Sequence, residues 1–244
     1  MKLSLFTIQC NEKLTDSVCM MVLAGDTSAS TAAGQFVNIQ LKGFFLRRPI
    51  SVCDYDENTL TILYKVVGKG TEAMSKMTPN HKLDVLPGQG NGYDTSHSGD
   101  KPLLIGGGVG VPPMYSLAKN LVAEGKHPIV ILGFNTAAEV FYKEEFEKLG
   151  AEVHVATADG SVGVKGFVTD VVKTTPDYTY FNTCGPEPML KALSDVTTTS
   201  GQLSFEERMG CGFGACMGCS CQTKYGNKRI CKDGPVLVKE EIIW

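Results

Sequence analysis

The sequence lacks the features of several specialised protein classes. No run approaches the roughly 20 consecutive apolar residues that a membrane-spanning helix needs. Lys and Arg number 23 against 26 Asp and Glu, and a net charge of −3 gives no basic surface for nucleic acid. The first residues lead into an alternating pattern without the apolar core of a signal peptide. These absences predict a cytoplasmic protein with neither a membrane nor a nucleic-acid partner.

The composition that is present fits a multidomain globular protein. The chain has 244 residues, of which 43% are hydrophobic, which predicts two domains or two with a small appendage. Residues 1 to about 90 form short runs rich in Val, Ile, Leu and Phe, separated by Gly, Asn and Asp, which is typical of an antiparallel barrel or sandwich. The predicted strands cover residues 3–9, 18–23, 35–41, 50–53, 60–67 and 82–86.

The second half of the chain has a different organisation. Residues 87–102 are rich in Gly, Pro, Asn, Asp and Ser and predict a domain boundary. Strands and helices then alternate, which predicts a parallel sheet with helices on both faces. The strands are expected at 103–105, 129–133, 152–156 and 178–182, and the helices at 112–124, 137–149, 166–173 and 187–194. A last strand at 202–206 precedes a cysteine-rich segment, so we predict domains at 1–95, 96–200 and 201–244.

The cysteine-rich segment has the spacing C-x4-C-x2-C, which occurs in plant-type [2Fe–2S] ferredoxins. Four thiolates must converge on two irons, and the glycines between these cysteines allow the tight turns that this requires. The segment contains five cysteines, whereas the cluster needs four ligands. Cys221 follows Cys219 by two residues and would point away if a strand begins there. The predicted ligands are therefore Cys211, Cys216, Cys219 and Cys231.

Other uses of these cysteines are less favoured by the pattern. A disulfide framework belongs to secreted chains. A structural zinc site, the main alternative, usually has two short Cys pairs, whereas only Cys216 and Cys219 form a CxxC here. Redox-active or simply buried cysteines are the third alternative.

Two glycine-containing segments each end a predicted strand and open a helix. The carboxyl ends of parallel strands lie at one edge of a sheet, where such sheets bind nucleotides. Asp159 follows the third strand at the same edge, where a carboxylate can accept from ribose hydroxyls and repel a 2′-phosphate; an ordinary turn residue is the alternative. The residues expected to contact a nucleotide are Gly107, Gly108, Val109, Gly110, Asp159, Cys184, Gly185, Pro186 and Glu187. Cys184 could touch a nicotinamide ring or could be a packed thiol.

The predicted barrel contains two further candidate segments. Arg47 and Arg48 precede Pro49, Ile50 and Ser51 at the head of a strand, and an arginine fork suits phosphate oxygens. A second strand ends in Leu63, Tyr64 and Lys65, and a glycine turn with Gly70 and Thr71 follows it. Taken separately, each segment could equally be an exposed arginine pair or a simple hairpin.

In combination, these motifs resemble a known family over nearly the whole chain. An Arg-Pro-Ile-Ser stretch, a Gly-Lys-Gly-Thr turn, a GGGVGVPP run and a CGPEPML run occur in the order found in the ferredoxin–NADP reductase superfamily. The C-terminal GCGFGACMGCSC segment is similar to that of the electron-transfer subunits of B-type dihydroorotate dehydrogenases. One departure is Ile50, where many superfamily members have a tyrosine that stacks on the flavin.

The resemblance implies an N-terminal antiparallel Greek-key β-barrel that binds FAD, a central parallel α/β domain that binds NAD(H), and a small C-terminal [2Fe–2S] domain. Arg48–Ser51, Leu63–Lys65, Gly70 and Thr71 match the flavin segments, and Cys211, Cys216, Cys219 and Cys231 match the cluster ligands. No residue of this chain is expected to be a general acid or base.

The resemblance also implies a partner. The chain would carry electrons between NADH and the FMN of a dihydroorotate dehydrogenase catalytic subunit in pyrimidine biosynthesis, in a heterotetramer of two of each subunit. Alternatives are an electron-transfer subunit of an NAD(P)H–ferredoxin transhydrogenase or a hydrogenase, a redox-sensing module without turnover, and a zinc-stabilised interaction domain.

Overall fold

The computed structural model describes residues 4–244, so Leu3 of the first predicted strand lies outside the described residues. Six antiparallel strands close into a barrel in the order β1-β2-β5-β4-β3-β6. Consecutive strands β2 and β3 are not neighbours, because β2 pairs with β5 and β3 with β6, which gives the predicted Greek-key arrangement. The strands are β1 Ser4–Lys13, β2 Val18–Ala24, β3 Phe36–Gln40, β4 Arg48–Tyr55, β5 Thr59–Lys65 and β6 Lys82–Gln89.

Alternating side chains of the strands fill the barrel. On β3, Val37 and Ile39 are fully buried in the barrel core, whereas Phe36 and Asn38 face outward. On β4, Val52 and Ile50 pack on the barrel core, and Cys53 packs with the α/β domain instead. Helix α1 (Lys69–Ser75) connects β5 to β6 and inserts Met74 into the barrel core. This alternation gives β3 and β4 outer faces that can contact the rest of the molecule.

The central domain is built on a seven-stranded sheet in the order β10-β9-β8-β7-β11-β12-β15, in which β15 is the C-terminal strand Val236–Val238. Its parallel strands are β7 Pro102–Gly107, β8 Ile129–Phe134, β9 Glu152–Thr157, β10 Val164–Lys165, β11 Tyr180–Cys184 and β12 Gly201–Ser204. The helices are α2 Val111–Ala123, α3 Lys143–Lys148, α4 Val168–Val172 and α5 Glu187–Val196. The predicted parallel α/β organisation is therefore confirmed. None of the helices within residues 4–244 is long and apolar enough to cross a membrane.

The prediction of one helix over residues 137–149 is wrong. A single 3-10 turn, Ala137–Glu139, is followed by a break, and α3 covers only Lys143–Lys148. Tyr142 adopts a left-handed φ of 66°, which ends any continuous helix. Its ring meets Tyr115 edge-on at 5.1 Å, and its hydroxyl donates to the Met20 sulfur of the barrel at 3.7 Å. Packing between the two domains therefore overrides the local helical pattern.

The cysteine-rich segment ends in strands that the sequence did not predict. Strands β13 (Ser220–Thr223) and β14 (Gly226–Arg229) form a hairpin, and β15 (Val236–Val238) joins the central sheet antiparallel to β12. The linker after the barrel binds this segment, because the Asn91 amide donates to the Val236 carbonyl at 2.7 Å. Strand β12, on the C-terminal side of the predicted boundary at residue 200, lies in the central sheet.

Candidate functional site

Arg48, the first residue of β4, lies against the start of α1. Its guanidinium carbon is 4.8 Å from the centroid of the Phe44 ring. A Cβ atom at Gly70 would be 2.3 Å from the Arg48 Nε, so position 70 must be glycine for the guanidinium to stay there. No ion pair joins Arg48 to a carboxylate in the part of the chain that the structure describes. The two predicted flavin segments thus meet at a guanidinium whose charge is available for an anion.

Arg47, the other member of the arginine pair, has a structural partner. Its NH1 donates to the Asp84 carboxylate at 2.8 Å and to the Asn38 carbonyl at 3.2 Å. These bonds tie the loop before β4 to β3 and β6. The adjacent arginines therefore differ: Arg47 is ion-paired, whereas Arg48, whose NH1 donates to the Leu46 carbonyl, has no carboxylate partner within residues 4–244.

Several predicted flavin residues use their side chains inside the protein. The Tyr64 side chain is in the barrel core, and its hydroxyl donates to Asn11 Oδ1 at 2.9 Å. The Thr71 hydroxyl accepts the Val67 N–H at 3.0 Å and so fixes the turn into α1. Leu63 is buried between the barrel and the α/β domain. A cofactor contact at these three positions would therefore involve the backbone, not the side-chain polar atoms.

Lys65 and Ile50 lie in contrasting places. Lys65 is exposed and lies beside Gly108 and Val109 at a small cavity between the barrel and the α/β domain. Ile50 packs its side chain on the barrel core, whereas Pro49, which precedes it, lines the main cavity. The residue that replaces the family's usual tyrosine therefore points away from that cavity.

The two glycine-containing segments meet at the sheet edge, as predicted. Strands β7 and β11 are parallel neighbours, and Gly106 lies opposite Cys184. A Cβ atom at Gly110 would be 2.1 Å from the Cys184 carbonyl oxygen, and one at Gly107 would be 2.5 Å from the Met189 sulfur. The absence of side chains at these positions lets the backbone of both segments approach closely. Such an edge offers backbone N–H groups to a nucleotide.

Cys184 has a neutral thiol. Burial of its sulfur, which the Ser204 hydroxyl partly offsets, raises the pKa of Cys184 to about 12. Its neighbour Tyr93, from the linker after the barrel, donates its hydroxyl to the Thr183 carbonyl at 2.9 Å. The surroundings of Cys184 therefore suit van der Waals contact with a ring and do not suit a nucleophilic thiolate.

Asp159 lies at the same edge but further along it. It follows β9, which is two strands away from β7, a separation of roughly 10 Å. Its Oδ1 accepts the hydroxyl of Ser161 at 2.6 Å and the Ser161 N–H at 2.9 Å. These bonds, the hydroxyl first, lower the pKa of Asp159 below its ordinary value. An exposed, ionised carboxylate at this distance could reach a ribose while the glycine segments hold the phosphates.

The main cavity, of about 840 Å³, lies where the three parts of the molecule meet. Pro49 comes from β4, and Gly185, Pro186 and Glu187 come from the start of α5. The cysteine-rich part contributes residues 205–209 and 221–223, and the C-terminal residues 242–244 close one side. The volume lies within the roughly 300–1,000 Å³ typical of cofactor sites. A cofactor ring system would therefore have room in this cavity, between the barrel and the α/β domain.

The sequence pattern did not predict the aromatic residues of this cavity. Trp244 lies 5.9 Å from the Phe205 ring, centroid to centroid, and its indole N–H donates to the Ser194 hydroxyl at 3.2 Å. Leu46, before the arginine pair, lines the same cavity. The one signal for Trp244 was that it is the only tryptophan in the sequence.

The four predicted cluster cysteines come together in two pairs. The N–H of Cys216 points at the Cys211 sulfur, and that of Cys231 at the Cys219 sulfur, both at 3.4 Å. Burial acts against ionisation of Cys211, but backbone N–H groups, that of Phe213 first, lower its pKa to about 6. Burial, followed by the neighbouring Cys219 thiol, raises the pKa of Cys231 to about 12.

This pairing of thiols suits a two-iron cluster. A [2Fe–2S] cluster takes two thiolates at each iron, as two separate pairs would supply. Cys221 lies apart on β13, where it lines the main cavity.

Comparisons with known proteins agree with this geometry. Residues 206–243 match the family model described as the iron-sulfur cluster binding domain of dihydroorotate dehydrogenase B, and residues 104–195 match an oxidoreductase NAD-binding domain. The electron transfer subunit of dihydroorotate dehydrogenase B (NAD(+)) from Fusobacterium nucleatum is 42% identical, with 99% of each chain covered. The chain belongs to this family of electron transfer subunits.

Further relatives support the assignment. The corresponding dihydroorotate dehydrogenase B subunit of Bacillus pumilus is also 42% identical, over 99% of this chain and 98% of its own length. A solved structure of an NADH-dependent reduced ferredoxin–NADP oxidoreductase is 29% identical, with a TM-score of 0.89 over 98% of this chain and 90% of that chain. The dihydroorotate dehydrogenase B family and the ferredoxin reductase fold predicted from the motifs are thus both confirmed.

Proposed function

We propose that this chain passes electrons between NADH and a partner dihydroorotate dehydrogenase subunit, through FAD and a [2Fe–2S] cluster that it holds itself. The observation that carries the proposal is the cavity shared by Pro49, Gly185–Glu187 and the cysteine-rich segment. When bound, FAD accepts a hydride and releases electrons singly, which links a two-electron donor to a one-electron cluster.

The residues proposed for FAD lie on the barrel. Arg48 would hold a phosphate, because its guanidinium has no carboxylate partner in the described chain and Gly70 leaves it room. Pro49 and Ser51 lie on the face of β4 that turns away from the barrel core. Backbone groups of Leu63–Lys65 and of the turn before Thr71 would complete the site, since the Tyr64 and Thr71 side chains already have internal partners.

The residues proposed for NADH lie at the carboxyl edge of the central sheet. Gly107–Gly110 and Cys184–Glu187 offer a surface without bulky side chains, and Asp159 offers a carboxylate for the ribose hydroxyls. The neutral Cys184 thiol would bound the nicotinamide position without taking part in proton transfer. The residues of this chain would therefore bind and orient rings and exclude water.

Cys211, Cys216, Cys219 and Cys231 are proposed as the cluster ligands, with Cys211 and Cys216 on one iron and Cys219 and Cys231 on the other. Free backbone N–H groups around these sulfurs would stabilise the negative charge of the cluster. The proposed domains are 1–95 for FAD, 96–200 for NAD(H) and 201–244 for the cluster, with β12 and β15 of the last segment completing the sheet of the NAD(H) domain.

The partner proposed is the FMN-containing catalytic subunit that carries the orotate chemistry, in a heterotetramer of two of each chain. Support comes from relatives named as electron transfer subunits of dihydroorotate dehydrogenase B. The structural similarity to an NADH-dependent ferredoxin–NADP oxidoreductase favours a second candidate, the electron-transfer subunit of such a complex. Identification of the chain that co-purifies with this one distinguishes the two candidates.

An anaerobic absorption titration with NADH tests the proposed function. A brown protein whose flavin and iron–sulfur bands both bleach with NADH would support it. A yellow protein without iron–sulfur bands, or a colourless protein after reconstitution with flavin, iron and sulfide, would contradict it. The same titration with NADPH measures the preference that Asp159 is proposed to give.

A further inference from the structure

Strand β3 contacts both the proposed flavin strand, β4, and the cysteine loop. It pairs with β4, and Phe36 and Asn38 point out of the barrel because Val37 and Ile39 point into it. Phe36 is buried in the same apolar cluster as Cys219 and Cys231. The outer face of β3 is therefore the surface on which the cluster-binding segment rests.

Asn38 makes a directed contact in this surface. The residue is 1% exposed, and its side-chain amide donates to the Gly212 carbonyl at 3.2 Å. Gly212 directly follows Cys211 and has a φ of +75°. A Cβ atom at position 212 would lie 1.8 Å from the Asn38 amide nitrogen, so the loop can approach only with glycine there.

The backbone of Asn38 is fixed as firmly as its side chain. It lies opposite Pro49 in the β3–β4 ladder, and its carbonyl accepts from Arg47 NH1 at 3.2 Å. One residue thus contacts both the strand proposed to hold FAD and the loop that carries the first proposed cluster ligand. Asn38 and Gly212 are 174 positions apart in the chain, so this contact is purely tertiary.

We propose that Asn38 is a positioning residue for the electron step between the flavin and the cluster. By holding the Cys211 loop against β3, it fixes the separation between the two redox centres. Because the rate of electron transfer falls steeply with separation, a loop that moves away from β3 slows this step. The inference rests on the proposed function, since it requires that FAD and the cluster bind where proposed.

The loop has a second support that does not involve the barrel. Arg229 NH1 donates to the Gly214 carbonyl at 2.9 Å, and the same guanidinium is held by Asp233 through Nε at 2.8 Å. These residues belong to the cysteine-rich segment itself. Removal of the Asn38 amide is therefore expected to loosen the loop from the barrel while the cluster-binding segment keeps its fold.

The test compares Asn38→Leu, which keeps the side-chain size but removes the donor, with a matched control, Thr27→Val. Thr27 is also buried, and its hydroxyl donates to the Asp56 backbone carbonyl at 2.6 Å. Asp56, however, follows the C-terminal end of β4, whereas Arg48 begins that strand. Each variant of the cofactor-loaded protein is mixed rapidly with NADH, and the bleaching of flavin and cluster bands is followed separately. Amide hydrogen exchange of residues 208–216 and iron content per chain are measured in parallel.

We expect Asn38→Leu to keep its iron and its rate of flavin reduction, while cluster reduction slows several-fold. Exchange of the loop amides is expected to rise roughly fivefold, the effect of losing one hydrogen bond. Thr27→Val is expected to match the wild type in all of these measurements. Unchanged cluster reduction in Asn38→Leu, or equal slowing in Thr27→Val, would overturn the inference.

Two further outcomes are distinguishable. If Asn38→Leu loses iron, Asn38→Ala, which leaves room for a water molecule, is measured in the same way. Loss of iron in both Asn38 variants, but not in Thr27→Val, would assign Asn38 to cluster assembly. That result would overturn the positioning role. If the wild-type cluster is not reduced after the flavin, the proposed function itself fails. If only the inference about Asn38 is wrong, the wild-type cluster is still reduced after the flavin.

Discussion

Gly110 packs so closely on Cys184 that a Cβ atom at position 110 would lie 2.1 Å from the Cys184 carbonyl oxygen. The contact joins the turn after β7 to the end of β11, two segments separated by more than 70 residues in the chain. Glycine is therefore required at position 110 by packing. Its φ of −81° would be open to any residue.

Gly110→Ala is expected to separate the two segments proposed to bind the nucleotide. Overpacking of this kind costs about 1–3 kcal/mol of stability, and the affinity for NADH should fall with it. Gly125→Ala is a suitable control, because position 125 has open space around it and only its φ of +79° is unfavourable. Thermal unfolding measures the loss of stability, and NADH titration measures the loss of affinity. An equal reduction of NADH affinity in the two variants would argue against a role for the Gly110–Cys184 contact.

Arg48→Gln is expected to weaken FAD binding without unfolding the barrel. Loss of a charged hydrogen bond to phosphate costs about 1.5–3 kcal/mol, or roughly 10- to 150-fold in affinity. Arg47→Gln should instead destabilise the barrel and leave FAD binding largely unchanged, because Arg47 donates to the Asp84 carboxylate and to the Asn38 carbonyl. Flavin fluorescence on dilution reports the dissociation of FAD, and chemical denaturation reports stability. The assignment would fail if Arg47→Gln released FAD more readily than Arg48→Gln.

Cys216→Ala is expected to lose the cluster absorbance and the reduction of the partner subunit, while some NADH oxidation with artificial acceptors remains. Cys221→Ala is the matched control and should keep its iron, since the Cys221 side chain lies apart on β13. Iron and sulfide content, together with visible absorption, check both. Full coupled turnover in Cys216→Ala would contradict the proposed relay.

Asp159→Ser is expected to reduce the preference for NADH over NADPH. The ionised carboxylate, whose pKa the Ser161 hydroxyl lowers, would lie near the 2′-phosphate of NADPH. Like charges at close range repel each other, so removal of the carboxylate should shift the ratio of kcat/KM values several-fold towards NADPH. Glu152→Ser is a useful control, because Glu152 begins β9 at the opposite end of the strand. An unchanged ratio in Asp159→Ser would remove Asp159 from the nucleotide site.

Cys184 should resist alkylation in the folded protein. Its pKa is raised from an ordinary value of 9.0 to about 12, so the reactive thiolate is scarce near pH 8. The folded state binds this proton more tightly than the unfolded state does. The resulting stability is complete below about pH 9 and is lost as the pH rises towards 12. Peptide mass spectrometry after iodoacetamide treatment, with the urea-unfolded protein for comparison, measures the protection; rapid labelling of folded Cys184 would contradict it.

The sequence by itself determined the features that depend on local pattern. The C-x4-C-x2-C spacing, the change from short strands to alternating strands and helices near residue 90, and the glycine segments at two strand ends are all local, and each predicted an element or a meeting place that the structure contains. Gly106 and Cys184 could be placed at one edge because parallel strands align their carboxyl ends.

Only the tertiary structure decided which surfaces meet. Tyr142 interrupts a stretch with helical character because its ring and hydroxyl bind partners in other elements. Arg47 and Arg48 are adjacent in sequence, yet Arg47 binds the Asp84 carboxylate and the Arg48 guanidinium lies over the Phe44 ring. The contact between Asn38 and Gly212 joins two residues that no local sequence pattern relates to each other. Local pattern fixes which side chains lie on one face of an element, but the partner of that face comes from distant parts of the chain and is set by packing of the whole molecule.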